Sequence, residues 1–241
     1  MSSLIFDGHD FATLFVYGNP KITILNAQPI TREVSGRDGE AFVGMTYGVS
    51  SVAFTIAVMG DPEARRTALS TLGGWLKVAG PKPLHLPDTP DRYYLAVPEG
   101  ALDLSRGKDG ELATVTFMLT DPVAYGDSHT AALASGGTAT INVSGTAPTY
   151  LNVVADSAVR NSSSLVWGVR VDSQDYVHVA TGTSSPCKVE IDSGERVCKV
   201  ANAVTLPTLD SDWLKLEPGT HTVAMDHGTG AATLSWTARW Y

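Results

Sequence analysis

The sequence predicts a mainly β protein of two β-sandwich domains, with a single helix packed in the first domain. Apolar and polar residues alternate with a period of two along most of the chain, and only one segment has helical periodicity. Turn residues are frequent, with 23 Gly and 13 Pro among 241 residues. Short strands separated by many turns favour sandwiches or jelly rolls over parallel βαβ units.

The one predicted helix covers about residues 62–78. Asp61 can cap it and Pro62 suits its first turn. The residues Ala64, Ala68, Leu72 and Leu76 fall on one helical face. The pair Gly80-Pro81 ends the helix, and we expect its apolar face to pack onto a sheet.

Before the helix, the segments on either side of Gly36–Gly39 indicate a wide hairpin, because Asp38-Gly39 is a strong turn sequence. In the second half, residues 165–172 alternate between apolar and polar positions. The last strand, 232–240, places Leu234, Trp236 and Ala238 on one side. These patterns predict strands with one buried face.

The predicted domains are residues 1–127 and 141–241. Asp121-Pro122 closes the first half, and small residues fill 128–140, where Leu133 is the only large apolar side chain. A segment of this composition buries little area, so it is interpreted as a linker or an exposed edge.

Composition excludes several classes of function. With a net charge of -8 and no basic cluster, the chain is expected to recognise no nucleic acid. No apolar run is long enough to cross a bilayer, so no membrane insertion is expected. Asp7, His9 and Asp10 interrupt any leader-like start, which predicts a soluble protein made without a removable leader.

The two cysteines, Cys187 and Cys198, flank a predicted three-residue turn at 192–194. Pairing Ile191 with Glu195 would place the two sulfurs on opposite faces of the hairpin. A disulfide would then need a one-residue slip or a bulge, so free thiols are favoured over a bridge.

No catalytic motif is found, and the chain is predicted to be no enzyme and to need no cofactor or metal. The histidines lack metal-binding spacing, and Asp226-His227 is interpreted as polar residues of a turn beside Gly228. Asp210, Asp212 and Glu217 match a calcium loop poorly and are interpreted as a solvated turn. A pair of carboxylates for glycoside hydrolysis can come together only in the folded chain, so the spacing of residues in the sequence does not exclude it.

Aromatic residues suggest an alternative function, a carbohydrate-binding module that stacks sugar rings on exposed aromatic side chains. They are concentrated in the second half, at Trp167, Tyr176, Trp213, Trp236, Trp240 and Tyr241. Trp167 and Trp236 lie on the apolar side of their strands, however, where core packing accounts for them.

The order of motifs resembles the distal tail protein (Dit) family of long-tailed, non-contractile bacteriophages. The motifs that carry the resemblance are 4–8 (LIFDG), 36–39 (GRDG), Gly44, the helix ending in Trp75-Leu76, 80–84 (GPKPL), Tyr93-Tyr94, Asp121-Pro122, 145–149 (GTAPT), 211–223 (SDWLKLEPGTHTV) and 232–240 (ATLSWTARW). They span nearly the whole chain. One departure is Thr220-His221, where the family usually has Asn after Pro-Gly.

The resemblance implies a structural virion protein at the tail tip, assembled in the host cytoplasm. Its N-terminal domain would be tail-tube-like and form a homo-hexameric ring, and its C-terminal domain would be galectin-like or carbohydrate-module-like. The ring would join the tail tube and tape-measure end to a tail-associated lysin or fibre hub, and would anchor receptor-binding proteins. Within this resemblance, the carbohydrate-binding alternative would act in host-surface recognition.

A ring subunit must cover the strand edges that an isolated sandwich exposes. The hairpin from Ile30 to Gly44 is a suitable arm for reaching a neighbour. We therefore expect its tip, Gly36, Arg37, Asp38 and Gly39, to take part in the contact between subunits. An ordinary solvated hairpin is the alternative.

Overall fold

The computed structural model describes residues 3–23, 26–102, 104–106, 110–172 and 174–241. By its backbone contacts the chain divides into two compact units, Met1–Tyr125 with Tyr241, and Gly126–Trp240. The described residues are mainly β with one α-helix, as predicted. None of the helices in the described ranges is long and apolar enough to cross a membrane.

The first unit contains eleven strands, one 3-10 helix and one α-helix among its described residues. They are β1 (Ile5–Phe6), β2 (His9–Asp10), the 3-10 helix (Phe11–Thr13), β3 (Val16–Tyr17), β4 (Lys21–Thr23), β5 (Ala27–Glu33), β6 (Glu40–Tyr47), β7 (Ser50–Val58), α1 (Pro62–Leu76), β8 (Lys82–Leu86), β9 (Thr89–Glu99), β10 (Leu104–Arg106) and β11 (Glu111–Leu119).

The second unit is made of β12 (Ala124–Leu133), whose first two residues belong to the first unit, β13 (Thr138–Val143), β14 (Thr149–Tyr150), β15 (Asn152–Ala158), β16 (Val166–Val171), β17 (Asp175–Ala180), β18 (Cys187–Asp192), β19 (Val197–Val200), β20 (Ala203–Thr205), β21 (Lys215–Leu216), β22 (Gly219–His227) and β23 (Ala232–Trp240).

The main sheet of the first unit runs β2-β1-β8-β9-β11-β7, with β3 and β4 on the free edge of β7. Alternate residues of β7 and β11 are buried, which is the period-two pattern that the sequence predicts. Helix α1 buries Ala68 and Leu72, and Trp75 meets Phe11 edge-on at a ring separation of 5.6 Å. Phe54 extends this aromatic cluster, 5.4 Å from Phe11.

Among its described residues, the second unit has two large antiparallel sheets around one hydrophobic core, ordered β13-β22-β16-β17 and β23-β15-β18-β19-β20, and a small two-stranded sheet of β14 and β21. Trp167, Val169 and Val171 of β16 point into this core, as the alternation predicts. Leu165 precedes the strand and is exposed.

The segment 128–140, expected as a linker or an exposed edge, contains strand structure. It holds the end of β12, where Leu133 is fully buried, and the start of β13, which is an edge strand paired with β22. Ala131 and Ala139 pack against the core of the second unit. The linker interpretation is wrong because backbone pairing does not depend on side-chain size, so small residues form an edge strand here.

The β18–β19 hairpin differs in register from the prediction. Asp192 pairs with Val197 and Ile191 with Cys198, which makes the turn four residues long instead of three. The Asp192 carboxylate accepts the backbone N–H of Glu195 at 2.9 Å and stabilises this longer turn. Ile191 and Cys198 are then both buried in the core.

Both cysteines are free, as favoured from the sequence, although for a different reason. The shifted register places Cys198 opposite Ile191, four residues along β18 from Cys187. Four strand residues span about 13 Å, whereas a disulfide needs Cα atoms within about 7 Å. Burial raises the pKa of the Cys198 thiol to about 11.

Candidate subunit interface

Strands β5 and β6 form a two-stranded ribbon that is separate from the other sheets of the described chain. All seven residues of β5 are exposed. The predicted hairpin is therefore present, and it is longer than the expected 30–44, since it runs from Ala27 to Tyr47. It forms because both arms have strand-forming sequences joined by a turn-rich segment.

The ribbon exposes large apolar side chains. Phe42 and Val43 are 65% and 63% exposed, and Ile30 and Met45 are each 46% exposed. Val43 lies at a β-bulge, because Ile30 pairs with Gly44 and the next pair is Thr31 with Phe42.

Phe42 and Met45 share one face of the ribbon. Their partners on β5 are Thr31 and Pro29, two positions apart, and residues two apart on a strand point to the same face. Burying a Phe or Met side chain is worth roughly 1.5–3 kcal/mol, a stabilisation that this chain forgoes at these positions.

The four tip residues predicted from the sequence lie together in the loop between β5 and β6. Gly36 and Gly39 both have φ of +79°, in the left-handed region that favours glycine. The backbone N–H of Arg37 donates to the Val34 carbonyl at 3.2 Å, which closes a turn. Arg37 and Asp38 are exposed, so the loop presents one cation and one anion at the end of the ribbon.

The aromatic residues of the second half do not form one exposed platform. Trp167 is fully buried and Trp236 is 7% exposed, so core packing accounts for both. Trp213 packs against the same core, while Tyr241 is exposed at the chain end. Three of the six rings thus pack in or against the core, while Tyr176 and Trp240 are half-buried.

The acidic residues considered for calcium do not converge either. The Tyr176 hydroxyl donates to Asp210 at 3.2 Å, and Lys215 pairs with Glu217 at 2.9 Å. Asp212 accepts the backbone N–H of Trp213 at 2.9 Å, so each carboxylate has a local role.

The interpretation of Asp226-His227 as turn residues is wrong. Both residues lie in β22, and the turn begins at Gly228. A bulge in β22 brings Asp226 against His178 of β17, a residue that sequence reasoning did not single out. No local signal marks this contact, because the two residues are 48 positions apart.

Comparison with known proteins agrees with this fold. Residues 144–240 match the family model described as "Siphovirus-type tail component, C-terminal domain". No curated protein sequence is significantly similar to the chain.

Among solved structures, the crystal structure of the SPP1 Dit protein (gp 19.1), titled a paradigm of hub adsorption apparatus in phages that infect Gram-positive hosts, superposes with a TM-score of 0.80. Sequence identity is 17%, and 99% of each chain is covered. Two structures of the phage P2 baseplate in its activated conformation, with Ca and with Sr, give TM-scores of 0.53 and 0.52 at 10% identity, covering 95% of this chain and 92% of theirs. Over residues 144–240 the chain thus resembles siphovirus-type tail components, and over its whole length it has the fold of the SPP1 Dit protein.

Proposed function

We propose that the protein is a structural component of the phage tail tip that forms a homo-hexameric ring through its N-terminal domain. The match of residues 144–240 to the siphovirus tail component family and the likeness of the whole fold to the SPP1 hub protein support the tail-tip role. The ring joins the tail tube and tape-measure end to the tail-tip lysin or fibre hub, and it carries no catalytic function. It acts in the virion tail after assembly in the host cytoplasm.

The exposed β5–β6 ribbon is the observation that carries the proposal. An isolated two-stranded ribbon is only marginally stable in water, and this one leaves Phe42 and Met45 exposed on one face. A neighbouring subunit that covers this face gains their burial and pairs the open strand edges. A head-to-tail contact of this kind closes into a ring when its rotation is sixfold.

The tip Gly36–Gly39 belongs to the same contact in this proposal. The ribbon extends by seven paired positions, from Ala27–Tyr47 to Glu33–Glu40, so its tip lies far from its base. Arg37 and Asp38 at the tip then pair with charges on the neighbour, which sets the register of the ring.

The test measures assembly by size exclusion with light scattering, with negative-stain images of the same peak. We expect the wild-type chain to form a sixfold ring, and the double variant Phe42→Ser, Met45→Ser to elute as a smaller species. Replacing residues 35–40 by a short turn tests the tip separately, and we expect it to weaken assembly as well.

The matched control is Leu206→Ser, since Leu206 is 84% exposed in the second unit, outside the ribbon. It should assemble as the wild type does. A ribbon variant that assembles like the wild type would contradict the role of the arm, and specific glycan retention by a wild-type monomer would favour the carbohydrate-binding alternative.

A further inference from the structure

Four polar side chains meet on the face of the β13-β22-β16-β17 sheet that points away from the core: Arg170, His178, Asp226 and His227. Gly168 and Arg170 alternate along β16 with the buried Trp167 and Val169, so they lie on this outer face. His178 of β17 is paired directly with Gly168 and shares that face.

Glycine at position 168 makes room for the cluster. A Cβ at Gly168 would clash with the His178 Cδ2 atom, so only glycine lets the imidazole lie across β16. On β22, the register shift between Gly168 and Val169 marks a bulge at Asp226, which turns this carboxylate towards His178. Gly228 follows at φ +81°, where a Cβ would lie 2.5 Å from the Val159 carbonyl, and it ends the strand directly after His227.

The resulting distances are close to those of a metal site. His178 Nε2 lies 2.7 Å and His227 Nε2 lies 3.8 Å from Asp226 Oδ2. The three ligand atoms all lie within 4.8 Å of one another. Two ligands about 2.1 Å from a tetrahedral zinc ion are about 3.4 Å apart, a value that the two measured distances bracket.

We propose that His178, Asp226 and His227 bind one divalent transition-metal ion. Two imidazole nitrogens and one carboxylate oxygen suit zinc and its neighbours, whereas calcium and magnesium prefer oxygen ligands throughout. The site needs only small side-chain movements, because the backbone of β16, β17 and β22 already holds the three groups on one face.

The exposure of the two histidines and the charge of Arg170 affect how an ion reaches the site and is held there. The side chain of His227 is 35% exposed and that of His178 is 9% exposed, so the ion enters from the His227 side. One coordination position of the bound ion stays open to water on that side. Arg170 Nη2 lies 3.2 Å from Asp226 Oδ1 and opposes the charge of the ion while it orients the carboxylate.

The experiment titrates zinc chloride into the metal-free full-length chain by calorimetry near neutral pH, with calcium chloride as the comparison. We expect one zinc ion per chain and no calcium binding. His178→Gln and His227→Gln should each weaken zinc binding at least fivefold, because the glutamine amide still donates to Asp226 but is a poor metal ligand.

The matched control is His221→Gln, which removes the imidazole of a second His–Asp pair, 2.5 Å from Asp172. Zinc affinity should be unchanged in this variant, and thermal melts in chelator verify that each variant is folded. His227 is the more exposed ligand, so zinc binding by the His227→Gln variant tests the site if His178→Gln does not fold. The proposal is wrong if the wild-type chain does not bind zinc stoichiometrically, or if a folded His227→Gln variant loses less than fivefold in zinc affinity. The cluster would then be a hydrogen-bonded polar network without a metal.

Discussion

At the scale of single residues, His221 and Asp172 form a pair in which every polar atom has a partner. His221 Nδ1 lies 2.5 Å from Asp172 Oδ2 and its Nε2 lies 2.6 Å from the Glu217 carbonyl oxygen. Only the doubly protonated ring donates to both acceptors. The Thr222 backbone N–H donates to the other Asp172 oxygen at 2.8 Å.

These contacts shift the pKa values of both groups. Burial lowers the pKa of His221, but the hydrogen bonds to Asp172 and Glu217 and the negative charges of these two residues together outweigh it and raise that pKa above its ordinary value. The Thr222 N–H, with a smaller contribution from His221, holds the pKa of Asp172 below its ordinary value. The charged form of each residue is therefore favoured in the folded protein.

The stability contributed by this pair depends on pH. Because the folded-state pKa of His221 is raised, its contribution is complete below about pH 6.5, the unfolded value, and is lost as pH rises through the folded value. The contribution of Asp172 is present above its unfolded pKa and is lost as pH falls through the folded value. We expect the difference in free energy of unfolding between wild type and His221→Gln to be larger at about pH 5.5 than at about pH 8.5. Urea denaturation at both pH values measures it, and an equal difference would show that the pair contributes no pH dependence.

At the scale of secondary-structure elements, local sequence accounts well for the helix. Asp61 accepts the backbone N–H groups of Glu63 and Ala64 at 3.0 and 2.8 Å, so α1 begins where the capping residue predicts. It ends at Leu76, two residues before the predicted end. Gly73 lies within its last turn, where an added methyl group would meet no atom within 4 Å outside the backbone of the helix itself.

Two glycine-to-alanine substitutions should therefore have opposite effects. Gly73→Ala should stabilise the protein by about 0.5–1 kcal/mol, because alanine has the higher helix propensity and meets open space. Gly168→Ala should destabilise it by roughly 1–3 kcal/mol, because its Cβ would clash with the Val177 carbonyl oxygen on the paired strand. Denaturant unfolding of the two variants measures both changes, and the same sign for both would contradict the packing described for β16 and β17.

At the scale of the whole molecule, charge sets the conditions for assembly. Each chain carries a net charge of -8, so association brings like charges together. The ribbon contact that we propose is apolar at Phe42 and Met45, and burial of apolar groups is not weakened by moderate salt. Long-range repulsion between subunits is screened when the Debye length falls from about 30 Å at 0.01 M to about 8 Å at 0.15 M salt.

We therefore expect the ring to form at lower protein concentration as salt rises from about 0.01 M to about 0.15 M. Light scattering across a dilution series at each salt concentration gives the midpoint of assembly. A midpoint that moves to higher protein concentration with added salt would show that ionic contacts dominate the interface, against the apolar contact at the ribbon.

Local sequence patterns predict the fold class, the helix, most strands and the hairpin before the helix. These depend on interactions between residues close in the chain: the capping of α1 by Asp61, the alternation along β16 and β23, and the turn at Gly36–Gly39. The motifs that resemble the Dit family were likewise visible as a linear order.

Long-range contacts set which strands pair and in what register. Cys198 lies opposite Ile191 because the core selects a four-residue turn, and residues 138–140 form an edge strand because β22 supplies their hydrogen-bond partners. His178 meets Asp226 through a bulge between distant strands. Each of these outcomes depends on contacts between residues far apart in sequence, and local sequence patterns do not show which of these contacts form.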